Sequence, residues 1–476
     1  MTDLAKAPDT QDDESGLKRS VTGRLLFFYV LGDVLGSGIY VLIGAVAGEV
    51  GGAFWIAFAV GVAIAIVTGA AYAELVTKYP RAAGAALFVE RAFGNRVLTF
   101  VVTVTMLGAS FAATGSLASG FARYFDAVWD LPPALLVSML LLLALTVIHH
   151  LGINESVVAN AVMTVVEVAG LLIVTVVALA LLARGDGDVG RVVEFDTNGN
   201  EVFAVLAGVA LAFFAMTGFE NAANVAEEVV EPQRHFPRAL IGGMVVAGII
   251  YVIVAAGTSM VVSTEVLAGS DVPLLEVVRE GSSSGLLPIG VGAVTVIFSL
   301  IAMVAITNTT LVTFVTQPRI LYGMAREDVV PDAFATLHPT RRTPWVGSLF
   351  SVGVVVALLL VGFAITQAGS DLDVVTKLAD VTVLLLLVVY TMVILATFKL
   401  RGRDDDGDTY RAPSVLLVLG VVGNVAVAVY MVVDDWTSLL WCGGLVAVGF
   451  VLFALEYAFG GRNRPEGVER GRPSGV

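Results

Sequence analysis

Charge is what this chain has least of. Only 14% of its 476 residues are Asp, Glu, Lys or Arg, while 57% are hydrophobic and the mean hydropathy is +0.89. A soluble protein of this length carries more charge and shorter apolar runs, so a water-soluble globular fold is excluded. Lysine is the rarest charged residue, 5 against 22 arginines. The single cysteine, Cys442, rules out an intramolecular disulfide, and its apolar surroundings make it a packing residue. No Walker A pattern is present, so no P-loop binds ATP and any work must be driven by gradients or exchange. No polar stretch is long enough to fold as a separate soluble domain, and nothing points to a cofactor, a metal centre, enzymatic chemistry or a nucleic-acid partner. The first 20 residues lack an apolar core, so no cleaved signal peptide is expected. Segments 1–20 and 461–476 read as disordered cytoplasmic tails.

What the chain does have is long apolar runs. Most exceed the roughly 18–20 residues of a helical membrane span. They are rich in Leu, Val, Ala and Gly, without the alternation of a membrane barrel. Runs bounded by charge, Gly or Pro predict twelve helices over 24–48, 53–78, 97–125, 133–151, 156–183, 202–229, 238–262, 286–322, 345–367, 377–399, 414–433 and 436–459. The eighth run is too long for one straight crossing and is expected to leave the bilayer near Gln317-Pro318. With both termini inside, 22 of the 27 Lys and Arg residues fall in cytoplasmic segments and 5 (Arg123, Arg184, Arg191, Arg279 and Lys377) outside. The expected location is a cell membrane crossed many times. The net charge of −14, with acidic residues crowded into loops, suits a high-salt host; acidic loops in a GC-rich coding sequence are the alternative.

Two of the runs are interrupted near their middle. One contains Gly36-Ser37-Gly38 and the other Thr217-Gly218. Glycine is a poor helix former, and an unwound turn exposes amide and carbonyl groups that lipid cannot satisfy but a polar solute can. Paired interruptions in corresponding halves mark a transporter's binding site. The N-terminus of the half-helix after Gly36-Ser37-Gly38 offers free N–H groups and a positive dipole end to a carboxylate. The competing reading is a small-residue packing stripe of Gly32, Gly36, Gly44 and Gly48.

These residues carry a resemblance. The first span, Tyr72-Ala73-Glu74-Leu75 followed by Tyr79-Pro80-Arg81-Ala82-Ala83-Gly84-Ala85, and Gly218-Phe219-Glu220 with Ala226-Glu227-Glu228, Pro232, Arg234 and Pro237-Arg238 resemble the amino acid/polyamine/organocation (APC) superfamily. Tyr322-Gly323-Met324-Ala325-Arg326-Glu327-Asp328 with Pro331 matches its motif after helix eight. The likeness runs from about residue 20 to 460. It implies an all-α polytopic membrane fold of twelve helices. Two inverted five-helix repeats (21–185 and 200–400) would carry discontinuous helices 1 and 6, with helices 11 and 12 (412–460) outside them. It also implies transport of amino acids or amines by alternating access. Carried over by motif, the amides of Gly36, Ser37, Gly38 and Ile39 would hold a substrate carboxylate. The carbonyls of Phe214, Ala215 and Thr217, beside Gly218, would receive its ammonium. Phe214 would be an aromatic gate, or else plain core packing.

Three carboxylates depart from a neutral site. Asp33, three residues before Gly36, is costly in the membrane unless paired or protonated. It would hold a cation or a coupling proton, or simply bond to nearby backbone. Glu167, mid-span in helix 5, sits where several proton-coupled relatives have lysine. Desolvation disfavours its charged form, which suits a proton carrier, while oxygen ligation of sodium and a structural role stay open. Glu220, just past the second break, is the third coupling candidate. His149-His150 read as interfacial, Lys377 with Asp380 as an interfacial pair, and Glu227-Glu228 with Arg234 and Arg238 as an intracellular gate or loop anchor.

The expected function is therefore a secondary transporter, or permease, for amino acids or related amines. Proton symport or antiport (exchange) is favoured, with a sodium-coupled amino acid or polyamine transporter as the alternative. A potassium transporter using Asp33 and Tyr40, seven residues apart and so on similar helix faces, is a further alternative. The expected partners are the solute, a proton or sodium ion and the lipid bilayer, with the chain a monomer or homodimer.

Overall fold

The computed structural model describes residues 21–80, 84–150, 157–195, 200–326, 330–339, 343–403 and 409–459. Both expected tails, the motif residues Arg81-Ala82-Ala83 and Glu327-Asp328, and the loop arginines Arg341 and Arg342 lie outside them. The helices, in chain order, are α1 (Gly23–Val34), α2 (Gly38–Val50), α3 (Trp55–Lys78), α4 (Gly84–Phe93), α5 (Arg96–Asp126), α6 (Ala134–His150), α7 (Val157–Arg184) and α8 (Glu201–Ala215). They continue as α9 (Pro232–Val261), α10 (Thr264–Ala268), α11 (Pro273–Ser283), α12 (Val291–Arg326), α13 (Trp345–Gln367), α14 (Val374–Leu400), α15 (Ser414–Asp434) and α16 (Thr437–Phe459). Among the described residues the only β-type pairing is one parallel bridge, Val21 to Val229.

Among the described residues, ten helices are long and apolar enough to cross a membrane, and α1 with α2, bent by 42° at their break, bring the number to eleven when counted as one broken span. The 17-residue α6 occupies the place of the fourth expected span. Polar side chains satisfy the first amides where helices begin. Asn95 accepts from Val97 and Leu98 at α5, Asn200 from Val202 at α8, and Asp373 from Val375 at α14. α12 runs 36 residues to Arg326 with Pro318 inside it, so the helix continues past the point where it is expected to leave the bilayer. Pro318 is buried, and Gly347 of α13 lets that helix come close enough that a Cβ there would lie 3.0 Å from the proline ring. Tertiary packing holds the helix through the proline.

The packing follows an inverted repeat. The most extensive pairings include α3 with α9, α5 with α12 and α2 with α8, in each case a span with the one five places later. The connecting helices obey the same relation. Between the second and third spans, α4 packs on α14 and on the 219–228 segment; between the seventh and eighth, α10 and α11 pack on α2 and, for α11, on α7.

The two ends of the bundle are tied by different chemistry. At the end where α1 begins, Val21 N–H donates to the Glu228 carbonyl (2.9 Å) and Val230 N–H to the Val21 carbonyl (3.0 Å). There too Arg401 grips Glu74 with two hydrogen bonds, Nε–Oε1 at 2.8 Å and Nη2–Oε2 at 2.7 Å, joining α3 to the end of α14. Ala412 N–H adds a third bond to Glu74 (2.8 Å). The Glu74 carboxylate, by hydrogen bonding, holds the Arg401 guanidinium above its usual pKa. At the opposite end Arg123 of α5 pairs with Asp271 (3.1 Å) and Asp373 (2.5 Å).

Of three smaller expectations, those for Lys377 and His149 are corrected. Lys377 turns to Asp435, Thr437 and Ser438, tying α14 to the α15–α16 turn instead of pairing along its own helix with Asp380. Asp435 is better placed for the long lysine side chain than a residue one turn along the same helix. Arg234 has its ion pair with Glu231 (3.9 Å), and Glu228 serves the N-terminal bridge through its carbonyl. His149 is buried against the Phe314 ring, and only His150, edge-on to His338, sits in a half-buried position.

Arg401→Ala would leave the buried Glu74 carboxylate without its counter-charge. Breaking a buried pair from one side costs about 3–5 kcal/mol. Thermal unfolding in detergent should show a clear fall in midpoint, and an additional Glu74→Gln change should restore much of it.

Candidate functional site

The first break follows from close approach. α1 ends at Val34 and α2 begins at Gly38, leaving Leu35, Gly36 and Ser37 outside regular helix. A Cβ on Gly36 would collide with the Thr309 hydroxyl of α12, and one on Gly38 with the Ala215 backbone of α8. The packing-stripe reading is also met in part, because Gly32 faces Thr164, Gly44 the Leu267 carbonyl, and Gly48 Ala268. Of the amides at this break, that of Ser37 donates to Thr309 Oγ1 (3.2 Å). The Ser37 hydroxyl is fully buried with no hydrogen-bond partner among the described residues. Ile39, the last of the expected amide donors, is buried.

The second break is its counterpart. α8 ends at Ala215, Met216 and Thr217 turn back to the Phe213 and Phe214 carbonyls, and Gly218 takes φ +113°. That angle is one L side chains rarely adopt. A Cβ there would also lie 2.9 Å from the Asp33 carbonyl oxygen. Residues Phe219–Glu228 continue as a tight 3₁₀ helix, where the sequence predicts ordinary helix. The Phe214 carbonyl accepts from the Thr217 hydroxyl (2.8 Å). The Ala215 carbonyl accepts from the Tyr251 hydroxyl of α9 (3.1 Å), and the same hydroxyl lies against the Val34 carbonyl. Two helix C-termini, those of α1 and α8, thus meet at one phenol.

A cavity opens where the breaks cross. Asp33, Gly36, Ser37 and Gly38 line it from the first break, and Phe214, Ala215, Thr217, Gly218 and Glu220 from the second. It runs along α5 to Met106 and along α12 through Thr309, Thr313 and Thr316 to Ile320, toward the end that carries Val21. Among the described residues its charged lining side chains are Asp33 and Glu220, and no Lys, Arg or His contributes. Asp33 Oδ2 accepts from the Asn221 amide (3.1 Å). Glu220 Oε2 accepts from Gly218 N–H (2.9 Å) and from the Tyr390 hydroxyl of α14 (2.7 Å).

Glu167 is fully buried in α7, behind α1 and outside the cavity lining. Its polar neighbour is Asn308, and Asp33 is a carboxylate close enough to act on it. Tyr40 does not face the cavity with Asp33, as a continuous helix would have it. The break separates them, and the Tyr40 hydroxyl donates to the Glu167 backbone carbonyl (2.8 Å). The site residues missing from the sequence reading are Thr309, Asn221, Tyr251 and Tyr390. Only Asn221, next to Glu220, carried a local signal: a polar residue beside a break.

A sequence profile described as amino acid permease matches residues 25–454. The branched-chain amino acid permease BcaP of Bacillus subtilis (strain 168) is 24% identical over 469 residues, covering 93% of this chain and 94% of that protein. The serine/threonine exchanger SteT of the same organism is 24% identical over 463 residues, covering 94% and 98%. Among solved structures, a mutant form of the Eremococcus coleocola manganese transporter superposes with a TM-score of 0.61. It is 12% identical and covers 95% of this chain and 97% of that one, a likeness of fold alone.

The tight crossing gives a direct test. Gly38→Ala forces α2 away from α8, and overpacking of this kind costs about 1–3 kcal/mol. Gly443→Ala on α16, where a Cβ meets nothing within 4 Å, is the matched control. Unfolding in increasing SDS should separate the two variants, with Gly443→Ala following the wild type.

Proposed function

The chain belongs to the amino acid permease family, and from that premise we propose that it is a secondary active transporter of amino acids or related amines. Solute would be carried by alternating access around the two helix breaks. The observation that carries this reading is the polarity of the crossing. The α2 N-terminus presents amide groups on one side, and the ends of α1 and α8 present carbonyls on the other. The cavity therefore complements a zwitterion, with carboxylate toward Ser37 and Gly38 and ammonium toward Ala215 and Thr217. Phe214, buried and lining the same cavity, serves as the aromatic wall over the bound solute.

Proton coupling fits the carboxylates better than any other driving force. Glu167 is fully buried, where desolvation penalises a charge, and Asp33 and Glu220 add two further carboxylates at the neighbouring cavity. Taking up a proton on one side and releasing it on the other relieves that cost once per cycle. A second reading concerns the solute: two lining carboxylates with no lining cation favour a substrate carrying an extra positive charge. The Lys and Arg bias supports a topology with both termini in the cytoplasm, and the proposed location is the cell membrane. The cavity then faces the cytoplasm, with the Arg123 ion pairs shutting the outside.

Uptake of labelled amino acids into proteoliposomes under imposed proton or sodium gradients tests this directly. A proton gradient should drive accumulation, and neutral and cationic amino acids or amines should compete. Potassium flux without amino acid competition would sink the reading. Glu167→Gln should abolish the proton dependence of uptake while leaving exchange across equal pH measurable. Unchanged pH dependence would remove Glu167 from coupling, and restored dependence on sodium alone would favour sodium.

A further inference from the structure

The Tyr251 hydroxyl reaches the last residue of both broken helices. Val34 is the last residue of α1 and Ala215 the last of α8, so their carbonyls are among those a helix leaves without an internal partner. Each also carries the negative end of a helix dipole. The two ends meet head to head, an arrangement that repels itself unless a donor lies between them. The donor is the Tyr251 hydroxyl, fully buried on α9 and within hydrogen-bond reach of both carbonyls. A phenol has one proton and can satisfy one of the two at a time. Val34 and Ala215 both line the cavity, while Tyr251 stands behind them with its ring edge-on to Phe58. Among carboxylates, Glu167 is the one that acts on the phenol.

We propose that the Tyr251 hydroxyl is a stand-in for the amine of the substrate. In the empty protein it bridges the Val34 and Ala215 carbonyls; when an amine-bearing solute enters, the amine takes the Ala215 carbonyl and the phenol keeps Val34. This rests on the transport reading above and sharpens it. The substrate class becomes solutes with a free N–H donor, and Tyr251 becomes a positioning residue that keeps the carbonyl pair occupied between cycles.

Tyr251→Phe keeps the ring and removes the donor. In sodium-free choline buffer, the empty variant should unfold at a lower temperature than wild type. A transported amino acid should then raise its midpoint by more than it raises that of wild type. The deaminated carboxylic acid analogue should produce no such extra rise. The variant's preference for the amine over its deaminated analogue should increase roughly tenfold, the scale of one hydrogen bond to a charged group. An equal ligand-induced shift in both proteins, or a gain that the deaminated acid also gives, overturns the proposal. Should the phenylalanine variant fail to fold, Tyr251→His, which retains a donor, must fold with wild-type ligand shifts; its failure too would overturn the assignment. If wild type moves no amino acid or amine at all, the transport reading fails instead.

Discussion

A peptide group that has lost its helical partner finds no water in the hydrocarbon core to replace it. The architecture around the breaks of this protein answers that constraint. The Ser37 amide goes to Thr309, the Ala215 and Val34 carbonyls to Tyr251, the Phe214 carbonyl to Thr217, and the Gly218 amide to Glu220. Donors and acceptors come from α9, α12 and the breaks themselves, so the surrounding helices are held where they are by the needs of two short unwound stretches. On the proposed function, a solute that enters here would trade places with some of these internal partners, and that exchange would link binding to conformational change.

The same constraint explains what the sequence could reveal. A break must announce itself locally, because only glycine accepts the close approach of α8 to Gly38 or the φ of Gly218. Buried carboxylates also stand out in an apolar span, and Asp33, Glu167 and Glu220 all prove to lie around the crossing. Their partners were not legible. Thr309, Tyr251 and Tyr390 are ordinary residues within their own helices and gain a role only when folding brings distant segments together. The fold itself was largely readable, since hydropathy and the Lys and Arg distribution act over whole spans.

The failures have the same origin. Lys377 and Asp380 are neighbours along one helix, but Asp435 and the hydroxyls of Thr437 and Ser438 offer the ammonium a fuller set of acceptors across the turn. Asp33 and Tyr40 share a face only on a continuous helix, and the break removes that geometry. In each case a rule about neighbours in sequence yielded to neighbours in space.

The two closures of the bundle differ in how they respond to their surroundings. The ion pairs of Arg123 reach acceptors that are 73% and 40% exposed at Asp271 and Asp373, so dissolved ions weaken them. The opposite closure is a backbone bridge and a Glu74–Arg401 pair whose side chains are only 8% and 12% exposed, which dissolved ions hardly reach. Ionic strength therefore acts on one door of the molecule and not on the other. If the two ends are the two gates of the proposed transport cycle, the salt content of the medium at a single face shifts the balance between them.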